Sequence, residues 1–225
     1  MFQYIFLDLD DTLLDFRRAE SIAIARTFRE VGLEPTEALI AHYSQVNKLH
    51  WQMLERGELT RAQVLLQRFQ YLFRELGIHA RPERCQELYE AYLCIGHYFI
   101  EGAQDILDYL RPKYRLFLAS NGTARVQDAR LQSSGIGAYL EDQFISERIG
   151  ADKPSPEFFR RSFARIPGFD PEKAMIIGDS LTSDIQGGNN AGIKTCWFNP
   201  QGKRPNVPVH IDYEIRTLAQ LKTIL

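Results

Sequence analysis

Three regimes of apolar and polar positions follow one another along the chain. Residues 4–14 form an apolar, aromatic and β-branched run that climbs into a tight group of carboxylates, Asp8, Asp10 and Asp11. Ile, Phe and Tyr fit a pleated sheet, and a run apolar on both faces suits a buried parallel strand. From 15 to 98 the pattern turns helical. Apolar residues recur at three- and four-residue spacing over 21–31, 37–56, 60–76 and 82–99, punctuated by Gly32, Thr36, Gly57, Gly77 and Pro82. Four helices of this length predict a small bundle. From Glu101 onward strands and helices alternate. Strands are predicted at 114–120, 143–146, 174–178, 194–198 and 213–215. Helices are predicted at 102–110, 123–133, 156–165, 183–191 and 218–225. Such alternation predicts a parallel sheet with helices on both faces. The fold class is therefore α/β, a doubly wound parallel sheet of Rossmann type carrying an inserted four-helix bundle. Residues 1–14 and 99–225 make the α/β domain, and 15–98 the inserted one.

With 225 residues, 44% of them hydrophobic, the chain can bury a substantial core. A net charge of -2 offers no footprint for nucleic acid or an anionic membrane. No apolar run approaches the ~18 residues of a membrane helix. The chain enters its first strand with no basic leader, so a cytoplasmic protein is expected. Cys85, Cys94 and Cys196 are odd in number and form no CxxC pair, and are read as reduced and structural rather than catalytic.

Three aspartates inside a buried strand would be costly without a partner. They are expected at its carboxyl end, where open α/β sheets bind ligands. Asp8 and Asp10 are two apart and point the same way in extended geometry. Two carboxylates aimed at one point bind a hard cation or share a proton.

Asp8-x-Asp10-x-Thr12 after an apolar strand resembles the first motif of the haloacid dehalogenase (HAD) superfamily. Three more stretches match in order: Ser120-Asn121-Gly122, Lys153-Pro154, and Gly178-Asp179-Ser180 with Asp184. The resemblance spans the chain and implies a HAD-like core whose helical insertion is a cap domain. It implies that Asp8 is a nucleophile forming an aspartyl-phosphate, and Asp10 the general acid and base. Mg²⁺ would be held by the Asp8 carboxylate, the Asp10 backbone carbonyl and Asp179, with Asp184 holding a metal-bound water. Ser120, Asn121 and Gly122 would bind the phosphoryl oxygens, and Lys153 would temper Asp8 and the phosphate. Asp11 is read as a solvated or capping residue. Glu101 departs from the family, which usually carries proline there.

In the inserted segment, Val46-Asn47-Lys48-Leu49-His50-Trp51 stands out. Asn47 and Trp51 share a helical face, with Lys48 beside them. An aromatic ring, an amide and a cation could stack on and read a nucleobase or grip a sugar. The alternative, Trp51 as a core anchor and Lys48 as a solvated charge, stays open. This segment, the four-helix cap and Ser146-Glu147-x-x-Gly150-x-x-Lys153-Pro154 resemble the pyrimidine 5′-nucleotidase branch. The implied substrate is a small phosphate monoester, foremost a nucleoside monophosphate, with no nucleic acid or membrane partner. A sugar-phosphate phosphatase, a phosphomutase and a non-catalytic binding protein are the rivals. A dehalogenase would need neither Asp10 nor Asp179. The preferred base and the oligomeric state are left open.

Overall fold

The computed structural model describes residues 1–225. The chain folds as two compact units, Met1–Asp15 with Tyr98–Leu225, and Phe16–His97.

The second unit is wholly helical: α1 (Phe16–Glu30), α2 (Glu37–Glu55), α3 (Arg61–Leu76) and α4 (Pro82–Leu93). Local chemistry sets the ends. Thr36 Oγ1 accepts from Leu39 N at 3.2 Å and opens α2. Thr60 and Gln63 form a reciprocal capping box at α3, and Gly77 closes that helix at φ 64°. α1 packs on α2 and α4, and α3 packs on the same two. Tyr43, Phe69 and Tyr89 meet as tilted and edge-on aromatics at the centre. Beside them lies a buried polar chain. Asn47 Nδ2 donates to Glu20 Oε1 at 2.5 Å. Arg68 donates to Asn47 Oδ1 at 2.7 Å and to Gln86 Oε1 at 2.5 Å.

α4 ends at Leu93, short of the expected 99. The backbone beyond is committed elsewhere. Asp15 N donates to Tyr98 O and Ile100 N to Leu13 O, around an antiparallel bridge between Leu14 and Phe99. Residues engaged in such pairing cannot continue an i→i−4 helical ladder.

The first unit holds six strands: β1 (Tyr4–Leu7), β2 (Arg115–Ser120), β3 (Asp142–Ile145), β4 (Ala174–Gly178), β5 (Lys194–Phe198) and β6 (Tyr213–Ile215). They lie in the order β3-β2-β1-β4-β5-β6, all parallel. The period-two alternation of β1 serves both faces. Ile5 and Leu7 join Leu116, Leu118, Met175 and Ile177 on one side. Tyr4 and Phe6 join Phe117, Phe144 and Ile176 on the other. Five helices accompany the strands: α5 (Ala103–Leu110), α6 (Ala124–Ser134), α7 (Ser146–Ile149), α8 (Pro156–Phe163) and α9 (Gln186–Ala191). α5 and α6 contribute Leu107 and Leu131 to the first face, and α8 contributes Phe158 and Phe159 to the second.

Two expected helices differ. The C-terminal one is a 3₁₀ segment, Leu218–Thr223. The one at 183–191 splits into a π turn, Leu181–Ile185, and then α9. Burial pushes the Cys85 thiol up to about 11 and the Cys196 thiol up to about 12, which keeps both protonated. No helix is long and apolar enough to cross a membrane.

Gly188 seats α9 on the sheet, and Gly187 seats it against Phe159 of α8. A Cβ on Gly188 would come within 2.6 Å of Thr195 Cγ2 and 2.7 Å of Ile176 Cγ2. Gly188→Ala should therefore destabilise the protein by about 1–3 kcal/mol through overpacking, read as a lower urea midpoint at unchanged m-value.

Candidate active site

β1 delivers Asp8 to the carboxyl edge of the sheet, where Asp8 N still donates to Ile177 O at 2.9 Å. The chain then turns sharply. Asp11 adopts a left-handed conformation, φ 58°, which Asp tolerates better than most residues. Leu14 N returns to Leu9 O at 2.9 Å. The turn lays Thr12 against the site, where its hydroxyl donates to Asp8 Oδ2 at 3.3 Å.

The other Asp8 oxygen meets Lys153. Its Nζ donates to Asp8 Oδ1 at 2.8 Å, Asp184 Oδ1 at 2.6 Å and Ala119 O at 2.5 Å. Those three acceptors use all three ammonium hydrogens. Lys153 thus acts first as a buried charge, and a direct bond to a ligand would displace one of the three. Asn121 fixes the lysine's backbone from both sides. Its Nδ2 donates to Lys153 O, and its Oδ1 accepts from Lys153 N, both at 2.8 Å.

Asp184 arrives through the π turn. Ile185 N reaches back five residues to Ser180 O at 3.1 Å. This wide turn points the Asp184 carboxylate back at the strand end, where Oδ2 accepts from Ser180 N at 3.0 Å. The approach needs Gly178, because a Cβ there would lie 2.2 Å from Asp184 Oδ2. Asp8, Asp179 and Asp184 each offer an oxygen within 4.8 Å of the others. Three carboxylates then face one lysine. Burial raises the Asp8 pKa to about 7, opposed by Lys153 and reinforced by Asp184 and Asp10. Burial and the neighbouring acids hold Asp179 well above the ordinary carboxylate range. An all-oxygen, over-acidic cluster fits a hard divalent cation such as Mg²⁺.

Ser120 ends β2. Its Oγ accepts from Gly122 N at 3.1 Å and from Gln127 Nε2 at 2.8 Å. With both lone pairs engaged, the hydroxyl hydrogen is left to donate to a ligand.

Asp10 lies apart from this trio. Arg130 Nη1 pairs with its Oδ1, and Gln127 Nε2 donates to its Oδ2 at 2.7 Å. Its carboxylate is thus engaged by α6, and any share it takes in metal binding falls to its backbone carbonyl. Gln127 and Arg130 were not among the residues singled out from the sequence. Their signal was faint: a polar pair three apart on a helix just after Ser120-Asn121-Gly122.

In the helical unit, Asn47, Lys48 and Trp51 do not form a single open surface, one of the two readings the sequence left open. The buried stripe of α2 is Tyr43, Val46, Asn47, His50 and Leu54. Asn47 falls on it and commits its amide to Glu20 and Arg68. Lys48 is exposed, and half-buried Trp51 lies under the Arg61 guanidinium, 5.4 Å from the ring centroid.

Comparison with known proteins gives a consistent picture. Residues 2–192 match the model of haloacid dehalogenase-like hydrolases. The chain is 40% identical to the HAD-hydrolase YfnB of Bacillus subtilis over 225 residues, covering 100% of this chain and 95% of the relative. It is 36% identical over 221 residues to the pyrimidine 5′-nucleotidase PynA of Streptococcus pneumoniae, covering 98% and 93%. The magnesium-bound crystal structure of YfnB superposes with a TM-score of 0.94, covering 100% of this chain and 98% of that one.

The clustered acids give a stability signature. The folded protein holds protons on Asp8 and Asp179 that the unfolded chain, with carboxylates near 3.8, has lost. Without metal, this contribution to stability is full below about pH 4 and is lost as pH rises toward 7 and beyond. Binding of Mg²⁺ to the ionised cluster acts oppositely, and should add about 2.7 kcal/mol at a hundredfold excess over Kd. Thermal melts should therefore show a larger Mg²⁺-induced rise in Tm at pH 8 than at pH 5.

Proposed function

Since the chain belongs to the haloacid dehalogenase-like hydrolase family, we propose that it is a magnesium-dependent phosphomonoesterase working through an aspartyl-phosphate on Asp8, with nucleoside 5′-monophosphates as substrates. The observation that carries this reading is the Lys153 ammonium between Asp8 and Asp184. It holds one carboxylate at the carboxyl edge of the sheet, oriented by Thr12 on its other oxygen and surrounded by the acids of a cation site.

A phosphate monoester resists attack because its oxygens repel an anion, so most of the catalysis is positioning and charge. An Asp8 oxygen attacks phosphorus as the ester bond to the leaving oxygen breaks. Asp10 protonates that oxygen, then takes a proton from the water that attacks the aspartyl-phosphate. The phosphorus–oxygen bond to Asp8 breaks, freeing phosphate and restoring the carboxylate. Ser120 donates its hydroxyl hydrogen to a phosphoryl oxygen, with the Asn121 and Gly122 backbone amides as further candidates. Lys153 and Asn121 keep the loop and the charge in place. Held by Asp8, Asp179 and the Asp10 carbonyl, with Asp184 on a metal-bound water, Mg²⁺ would supply the charge that screens the phosphoryl oxygens.

The nucleotide assignment rests on the relatives named pyrimidine 5′-nucleotidases, PynA and the Escherichia coli protein YjjG. Lys48 and Trp51 are the candidates for reading the base.

Phosphate release should favour pyrimidine nucleoside monophosphates over sugar phosphates and fall to background with chelator or in Asp8→Asn. Asp10→Asn should lower kcat by about 10²–10⁴-fold. Brief exposure to radiolabelled substrate should label the wild-type protein and leave Asp8→Asn unlabelled. Faster turnover of sugar phosphates would refute the substrate class, and absence of label would refute the covalent route.

A further inference from the structure

Helix α6 buries two polar side chains where leucines would pack at less cost. Gln127 is 1% exposed and Arg130 0%. Both are directed at Asp10, each taking a different oxygen. The pair is also braced internally: Arg130 Nη1 donates to Gln127 Oε1 at 3.1 Å, and Gln127 Nε2 reaches Ser120 Oγ at 2.8 Å. Burying a guanidinium carries a desolvation cost that an apolar residue of similar size avoids.

Gly122 makes room for this arrangement. A Cβ on it would fall 2.1 Å from Gln127 Nε2 and 2.5 Å from Gln127 Cδ. The amide passes over Gly122 to join Asp10 with Ser120. Donors on both oxygens prevent rotation of the Asp10 carboxylate and keep it out of the trio of Asp8, Asp179 and Asp184. Each oxygen retains one further lone pair for a proton in transit.

We propose that Gln127 and Arg130 are positioning residues that aim Asp10 for proton transfer. Resting on the reading of Asp10 as acid and base, the proposal adds two residues of α6 to the machinery. They touch no reacting atom: Arg130 acts through Asp10, and Gln127 acts through Asp10 while also bracing Ser120.

Gln127→Met removes the amide at nearly constant volume, and Arg130→Lys keeps the charge but loses the planar fork. Each should lower kcat on a nucleoside monophosphate about tenfold to a hundredfold, the scale of a small misplacement of a catalytic group. On an aryl phosphate with a strongly acidic phenol, the leaving oxygen needs no proton. There the first turnover should stay fast, giving a phenolate burst, and trapped phosphoenzyme should rise as hydrolysis lags. In an Asp10→Asn background, Arg130→Lys should cost no more than about twofold further, and Gln127→Met well less than it costs alone, because the part that runs through the missing carboxyl is gone and only the brace on Ser120 is lost.

Equal losses on both substrates with no burst, or full additivity with Asp10→Asn, would overturn the proposal and leave a purely structural role. Unchanged kinetics in a folded Gln127→Met would overturn it too. Should Arg130→Lys fail to fold by circular dichroism, Gln127→Met and its cycle with Asp10→Asn decide alone. If Asp10→Asn itself shows no leaving-group dependence, the acid–base reading fails instead, whatever the α6 variants do.

Discussion

A single buried ammonium organises the carboxyl edge of the α/β unit's sheet. Lys153 is 1% exposed and gives its three hydrogens to Asp8, Asp184 and the Ala119 carbonyl. It thereby ties the ends of β1 and β2 to the turn after β4. One positive charge among three acids leaves a surplus of negative charge, which burial makes costly. Such a surplus of oxygen-borne negative charge fits a hard cation. Breaking such a pair on one side would strand buried charge, so the residues around Lys153 are mutually dependent.

Two glycines show how backbone and side chain divide the task. Gly178 leaves space for the Asp184 carboxylate, and Gly122 for the Gln127 amide. Neither position has the positive φ that would demand glycine. At both, a polar side chain from the helical turns that follow passes where a Cβ would be. Asn121 works in the same sense: its side chain latches the Lys153 backbone. The motif from Ser120 to Gly122 thus holds up its neighbours as well as lining the site. The acids fall into two groups, three whose oxygens converge within 4.8 Å of one another and Asp10 held alone by α6.

The helical unit is stabilised differently. Its core is aromatic, yet Glu20, Asn47, Arg68 and Gln86 run through it as a hydrogen-bonded chain. Asn47 illustrates the ambiguity of a polar residue on an amphipathic helix. The spacing that puts it beside Trp51 also puts it on the stripe of Val46, His50 and Leu54.

Much of this was legible in the chain alone. The apolar run before Asp8 determined a buried strand, and the strand–helix alternation determined a parallel sheet with two covered faces. The order of the four acid-, serine- and lysine-bearing stretches resembles that of the haloacid dehalogenase superfamily, and that resemblance, rather than local character, singled out Asp8, Ser120, Lys153, Asp179 and Asp184. The tertiary structure alone decided which acid faces what. Asp8 and Asp10 look equivalent two residues apart, yet one meets Lys153 and the other meets Arg130, 120 positions away. Periodicity reports a face of a helix but not the group that face meets. So the burial of Asn47, the π turn that aims Asp184 and the grip of Gln127 and Arg130 on Asp10 emerge only when distant segments pack together.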